Sequence, residues 1–141
     1  MPIVVEVKSK DDYAQWVDAQ KKKAAATVDD PNKVWPMPEL VARGAKVYAA
    51  NCVICHQATG KGAPPAFPPL DGSKVVSGPK EALIKTILNG VMRDGKPTAM
   101  PAWGHTLSDV DIAAVATYAR NSWSNHIGDT IQPAEVVAAR Q

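Results

Sequence analysis

Cysteine is almost absent from this chain: Cys52 and Cys55 are the only two among 141 residues. A disulfide framework in a secreted domain carries more cysteines at wider spacing, so that class is excluded. Aromatic residues are sparse at 6%, with Phe67 the lone phenylalanine, and the 45% hydrophobic content has to build a core mainly from aliphatic side chains. No run approaches the roughly 20 apolar residues of a membrane span. An excess of one charge sign is missing as well. The net charge is +2 with a pI near 8.5, whereas polyanion binders show a strong basic stripe, which argues against nucleic acid. The first residues lack a basic leader and a long apolar segment, since Glu6 interrupts the run after Val5; taken alone, this predicts a cytosolic protein. A sheet is lacking too. MPIVVEVK, Met1 to Lys8, reads as a strand rich in β-branched residues, with Pro2 at a tolerated first position. Nothing downstream offers it a partner.

What the chain does have is twelve prolines and nine glycines, which imply short helices joined by ordered loops. Ser9 with Asp12 resembles a capping pair, and Tyr13, Trp16 and Val17 at i, i+3 and i+4 give the helix that follows one apolar face. That helix is expected to run into KKKAAA, Lys21 to Ala26, whose lysines suit a solvated helix end. TVDDPNKVWPMP, Thr27 to Pro38, has three prolines and no periodicity, and reads as a linker at a domain boundary. Residues 1–37 are therefore expected to be flexible or only loosely helical, and 38–141 to form the folded domain. Three helices follow in that domain. The first, PELVARGAKVYAANC, places Leu40, Val41, Gly44, Val47 and Tyr48 on one face. The second, PKEALIKTILNG, turns Leu83, Ile84, Ile87 and Leu88 inward. The third, SDVDIAAVATYARNSW, is capped by Ser108 with an inward stripe of Ile112, Val115, Ala116 and Ala119. Cys52 to Val76 and VMRDGKPTAMPAWGHT read as loops, and a further turn or two of helix is expected after Pro133. Loops this long in a small domain require something other than protein to fill the core.

CVICH, Cys52 to His56, supplies the explanation. Cys-x-x-Cys-His is the attachment motif of c-type haem. Thiols three residues apart at a helix end lie on one side, so both can bond the vinyl groups of one porphyrin, and His56 can turn its imidazole to the iron as proximal ligand. A thioredoxin-like pair would follow a strand in a βαβ pattern, but a helix precedes here. A structural zinc site needs four ligands, and only His105 and His126 remain, singly placed. The candidates for a second axial ligand are Met92, Met100, His105 and His126. Met100 is favoured: it stands in TAMPAW, where Pro101 stiffens the loop and Trp103 can pack on the porphyrin. Its thioether raises the reduction potential relative to bis-imidazole ligation.

GAKVYAANCVICH, GKGAPPAFPPLDG, ILNG and AMPAWGHTLSDVDIAAVATYAR together resemble class I cytochromes c, over Pro38 to about Asn125. The resemblance implies an all-α fold of three main helices and long loops around one covalent haem c. It also implies a crossing of the first and last helices at Gly44, with Tyr48 against Tyr118. Met100 is the implied distal ligand, and a proline after the haem motif, Pro68 or Pro69, supports His56. The cofactor-binding set is thus Cys52, Cys55, His56, Met100, Pro69 and Trp103, with His56 and Met100 on the metal. MPIVVEVKSKDDYAQWVDAQ resembles the end of the copper-binding domain of cytochrome c oxidase subunit II, a strand-plus-helix remnant of a cupredoxin-like domain. Only the final Met-Pro of its ligand cluster could be present, so any copper centre is expected only in sequence upstream. Taken together, the chain resembles a cytochrome c domain fused behind that copper domain. The implied function is one-electron relay rather than catalysis, from a donor cytochrome or quinol-oxidising complex to the copper centre and on to oxidase subunit I. The implied location is the periplasmic side of a bacterial inner membrane, which replaces the cytosolic reading, because haem attachment occurs outside the cytoplasm. The alternative is a free-standing periplasmic cytochrome c serving another redox enzyme. Lys61, Lys74 and Lys96 lie on loops framing the haem, but Asp71 and Asp94 among them leave no strongly basic ring.

Overall fold

Seven helices and one short hairpin make up the secondary structure of the computed structural model, which describes residues 7–26 and 29–141. Met1 to Glu6, and with them most of the strand expected there, lie outside the described residues; Val7 and Lys8 carry no regular structure. Helix α1 runs from Lys10 to Ala26, the helix expected after Ser9 and into Lys21 to Ala26. Its start is set by Ser9, whose hydroxyl accepts from the Asp12 N–H (3.1 Å) and donates to the Asp12 carboxylate (2.6 Å). Tyr13 and Trp16 stack on one another at 5.9 Å, yet they remain 58% and 47% exposed. Among the described residues, α1 packs on no other helix or strand.

The folded domain is built on the crossing of α2 (Met37–Asn51) and α6 (Asp109–Arg120). Pro38 in the first turn of α2 costs nothing, because the N–H it lacks would have had no partner in the helix. Ser108 caps α6 by accepting from the Asp111 N–H at 3.1 Å. The two helices meet at Gly44, where a Cβ would lie 2.1 Å from the Ala114 carbonyl oxygen and 2.6 Å from the Tyr118 Cβ. Only glycine lets the backbones approach this closely, which is why a residue that weakens a helix stands in the middle of one. Against α6, and against each other, pack α5 (Lys80–Asn89), through Leu83, Ile84, Ile87 and Leu88, and α7 (Pro133–Ala139), through Val136. Burying each such aliphatic side chain contributes about 1.5–3 kcal/mol. Two single-turn helices, α3 (Val53–His56) and α4 (Lys74–Ser77), sit at the ends of the long loop after the cysteines.

Three features depart from the sequence reading. VMRDGKP is a hairpin and not a plain loop, with β1 (Met92–Arg93) antiparallel to β2 (Lys96–Pro97). Asp94 and Gly95 form its turn, both at positive φ (52° and 74°), as a two-residue hairpin of this twist demands. The segment from Asp29 to Trp35, read as part of a linker, is fastened to the domain. Asp29 accepts two hydrogen bonds from Arg43 (2.7 Å each) and one from the Ser108 hydroxyl (3.0 Å). The Trp35 N–H donates to the Gln132 side-chain oxygen (2.8 Å), and the Gln132 amide donates back to the Trp35 carbonyl (3.0 Å). Finally, Arg120 is 4% exposed and forms a hub: it pairs with both Asp129 oxygens (2.7 and 2.8 Å) and donates to the carbonyls of Val76 and Gly78. The hub ties the loop around α4 and the approach to α7 onto the end of α6.

Candidate functional site

Cys52 is the cap residue between α2 and α3, and Cys55 and His56 lie in the single turn of α3 that follows it, so the two thiols and His56 are presented by one short stretch of backbone. The His56 N–H donates to the Cys52 carbonyl at 2.9 Å, which fixes the histidine one turn beyond the first cysteine. Both thiols are half-buried and free, and His56 is buried. Burial pushes the Cys52 thiol up to about 11, with the neighbouring Cys55 adding to the shift. It is therefore protonated at neutral pH, unlike the low-pKa thiolate of a thioredoxin-type exchange site. Among the described residues no three His, Cys, Asp or Glu side chains are grouped as around a single ion. Cys52, Cys55 and His56 thus do not form the compact set of a zinc site.

The orientation of His56 is set by the loop that returns over it. Its Nδ1 lies 3.0 Å from the Pro68 carbonyl oxygen. A carbonyl only accepts, so Nδ1 carries the proton and Nε2 keeps its lone pair for a metal. This is the outer-shell bond that aligns a ligating histidine and raises its basicity. Of the doubled proline, between whose members the sequence leaves the choice open, Pro68 and not Pro69 supplies the oxygen. The sequence offered two equivalent carbonyls one residue apart, and only the path of the loop decides between them. That path is pinned by Ala63 and Phe67, which exchange backbone hydrogen bonds (2.8 and 3.0 Å), and by Leu70 and Asp71, whose N–H groups both donate to the Gly60 carbonyl. The donor set therefore fits a covalently attached haem: two thiols beside one another and an imidazole with a single free nitrogen.

Met100 sits on the loop between the hairpin and α6, half-buried, and its backbone is held on both sides. Its N–H donates to the Thr98 hydroxyl (3.3 Å), and its carbonyl accepts from the Val91 N–H (3.2 Å). Gly90, at φ 69°, lies so close under this loop that a Cβ would fall 2.7 Å from the Met100 carbonyl oxygen. Trp103 packs against the core, and its N–H donates to the Ile87 carbonyl (3.0 Å), fixing the loop to the end of α5. The competing ligands are placed differently: Met92 is 60% exposed on the hairpin, and His105 and His126 are exposed. Tyr48 lies against Tyr118 at 5.4 Å between ring centres, as the resemblance implied, and Trp123 completes the cluster at 5.3 and 5.6 Å. Trp123 was not singled out from the sequence. It follows α6 outside the helical stripe, so no periodic signal marks it.

Comparison with known proteins agrees with this geometry. Residues 39–118 match the family described as cytochrome c oxidase, cbb3-type, subunit III. The cytochrome c subunit of the quinone alcohol dehydrogenase of Gluconobacter oxydans is 33% identical over 103 residues, covering 69% of this chain and 22% of that protein. The cbb3-type cytochrome c oxidase subunit FixP of Azorhizobium caulinodans is 40% identical over 78 residues, 54% of this chain and 25% of that protein. Cytochrome c-552 of Thermus thermophilus is 37% identical over 93 residues, 60% of this chain and 70% of that protein. The chain thus spans about a quarter or less of the dehydrogenase and cbb3 subunits but most of the small cytochrome. A Cys-x-x-Cys-His site inside a matched segment that covers more than half the chain leads to one conclusion: the chain belongs to the cbb3-type cytochrome c oxidase subunit III family, as an electron-transferring class I cytochrome c domain.

Proposed function

We propose that this domain carries single electrons from a donor cytochrome or quinol-oxidising complex to the copper centre of a cytochrome c oxidase subunit II, as part of the same polypeptide, on the periplasmic side of the membrane. The observation that carries the electron-transfer reading is the Nδ1 of His56 committed to the Pro68 carbonyl at 3.0 Å, which leaves Nε2 as a lone metal-directed donor beside Cys52 and Cys55. Covalently bound haem c supplies a one-electron carrier. Cys52 and Cys55 would hold it through thioether bonds, His56 and Met100 would be the protein's donors to its iron, and Trp103 would pack beside it. The pinned Met100 loop and the pinned His56 loop resist rearrangement, so little structural change accompanies a change of oxidation state. The protein thereby contributes binding, orientation and a dry surrounding.

The subunit II assignment is supported by the opening stretch, whose helix α1 begins directly after the expected strand. A second reading is a free-standing cytochrome, and it is favoured by the match to most of a small cytochrome c-552. The gene sequence upstream of Met1 separates the two: two membrane helices and a Cys-x-x-x-Cys-x-x-x-His-x-x-Met cluster are expected. Their absence overturns the subunit II reading. The haem reading is tested on the purified protein by a pyridine haemochrome assay and by the sulfur-to-iron band of the oxidised spectrum. Met100→Ala is expected to abolish that band and to open the iron to carbon monoxide. An unchanged spectrum in Met100→Ala overturns the ligand assignment.

A further inference from the structure

The main chain directly after His56 is held in an unfavourable shape. Gln57 has φ 61° and ψ 161°, a region that residues with side chains rarely occupy. Such a conformation persists only where its surroundings over-determine it, and here three hydrogen bonds do so. The Tyr48 hydroxyl donates to the Gln57 carbonyl at 2.6 Å, and the Gly60 N–H donates to the same oxygen at 3.1 Å. The Trp123 Nε1–H donates to the neighbouring Ala58 carbonyl at 2.9 Å. Both aromatic donors belong to the ring cluster at the α2–α6 crossing. The Trp123 ring also covers Gly60, where a Cβ would lie 2.6 Å from the ring. The helix crossing therefore grips the backbone one and two residues beyond the histidine. The Pro68 carbonyl grips the imidazole itself.

We propose that Tyr48 and Trp123 are positioning residues for His56: by holding Gln57 and Ala58 in this turn, they fix the rotation of the imidazole between the Pro68 carbonyl and the iron. The inference rests on the axial role of His56 proposed above. A tyrosine that did no more than fill the core would need its hydroxyl satisfied, but it would not need to be bonded to the one strained residue beside the ligand. Ring packing survives loss of the hydroxyl; the grip on Gln57 does not.

The test uses holoprotein: wild type, Tyr48→Phe, Trp123→Phe, Gln57→Gly, the Tyr48→Phe/Gln57→Gly pair, and Tyr118→Phe, whose hydroxyl is not bonded to this turn. The readouts are the shifted haem-methyl NMR resonances of the oxidised protein, which report the plane of the axial ligands, and the reduction potential. Tyr48→Phe and Trp123→Phe are expected to change the methyl pattern and shift the potential, and Tyr118→Phe to change neither. Glycine at 57 adopts the turn without support, so Gln57→Gly is expected to return the Tyr48→Phe pattern towards wild type. A lowered melting temperature in Tyr48→Phe and Trp123→Phe with wild-type methyl pattern and potential overturns the proposal and leaves both residues purely structural. If wild type itself lacks covalent haem or the sulfur-to-iron band, the reading of the site falls first, and that result is visible before any variant is made.

Discussion

Replacing Gly44 with alanine tests the architecture most directly. The added methyl would stand 2.1 Å from the Ala114 carbonyl oxygen and 2.6 Å from the Tyr118 Cβ. Non-bonded carbons settle at about 3.5–4.0 Å, so α2 and α6 must part by more than about 1 Å. Alanine favours the helix over glycine by about 1 kcal/mol, which works against the effect. Overpacking costs about 1–3 kcal/mol, and the upper end applies because the obstacle is backbone, which cannot rotate aside. Parting the helices also withdraws contact along the buried faces that carry Leu40, Val47 and Tyr48 on one side and Ile112 and Val115 on the other. The balance is a net loss of about 2–3 kcal/mol. For a domain of this size, that lowers the melting temperature by about 10 °C or more. Thermal unfolding of the oxidised holoprotein, followed by far-ultraviolet circular dichroism, reads it. An unchanged or raised melting temperature in Gly44→Ala refutes the close crossing.

Two further outcomes follow from the charged groups. Arg120→Met strips the partner from Asp129 and leaves the Val76 and Gly78 carbonyls unsatisfied. A loss of about 3–5 kcal/mol is expected, read as a lower urea midpoint with the slope unchanged; a midpoint within error of wild type refutes the hub. The Arg120 guanidinium beside Asp129 holds its carboxyl below the usual range, and Arg43 does the same for Asp29. Both acids bind protons less readily folded than unfolded, so their contribution is present above the unfolded value of about 3.9 and is lost as pH falls through the lower folded value. Stability is expected to drop steeply below about pH 4, and Asp129→Asn to flatten that drop; parallel acid-unfolding curves for the two proteins refute it.

The elements that local chemistry specifies could be read from the chain. CVICH names its own cofactor, Gly44 declares a close approach, and the aliphatic spacing of α5 and α6 marks their buried faces. The cap at Ser108 and the short helix after Pro133 were equally visible. The Met92 to Pro97 hairpin has only half of its signal in the sequence: Asp94-Gly95 is a strong turn pair, yet its strands are two residues long and exposed, with no alternation to flank it. Other features depend on partners distant in sequence. The tie from Trp35 to Gln132 joins residues 97 apart, and three nearby prolines made that stretch look like a free linker. The Arg120 hub joins residues 44 apart, and nothing in the sequence of α6 distinguishes its arginine from a solvated helix end. The choice between Pro68 and Pro69 turned on the loop's path, which no local rule supplies.

The fastening of Asp29 to Trp35 changes how far this domain can travel. As free tether, those seven residues could reach roughly 25 Å, at about 3.5 Å for each extended residue. Laid along the domain and bonded to Arg43, Ser108 and Gln132, they contribute none of that reach. Asp29 itself is held beside the start of α6, through the Ser108 hydroxyl. The tie removes the slack of those seven residues from the N-terminal side of the domain, so the segment moves with the domain and not as a tether between it and what comes before.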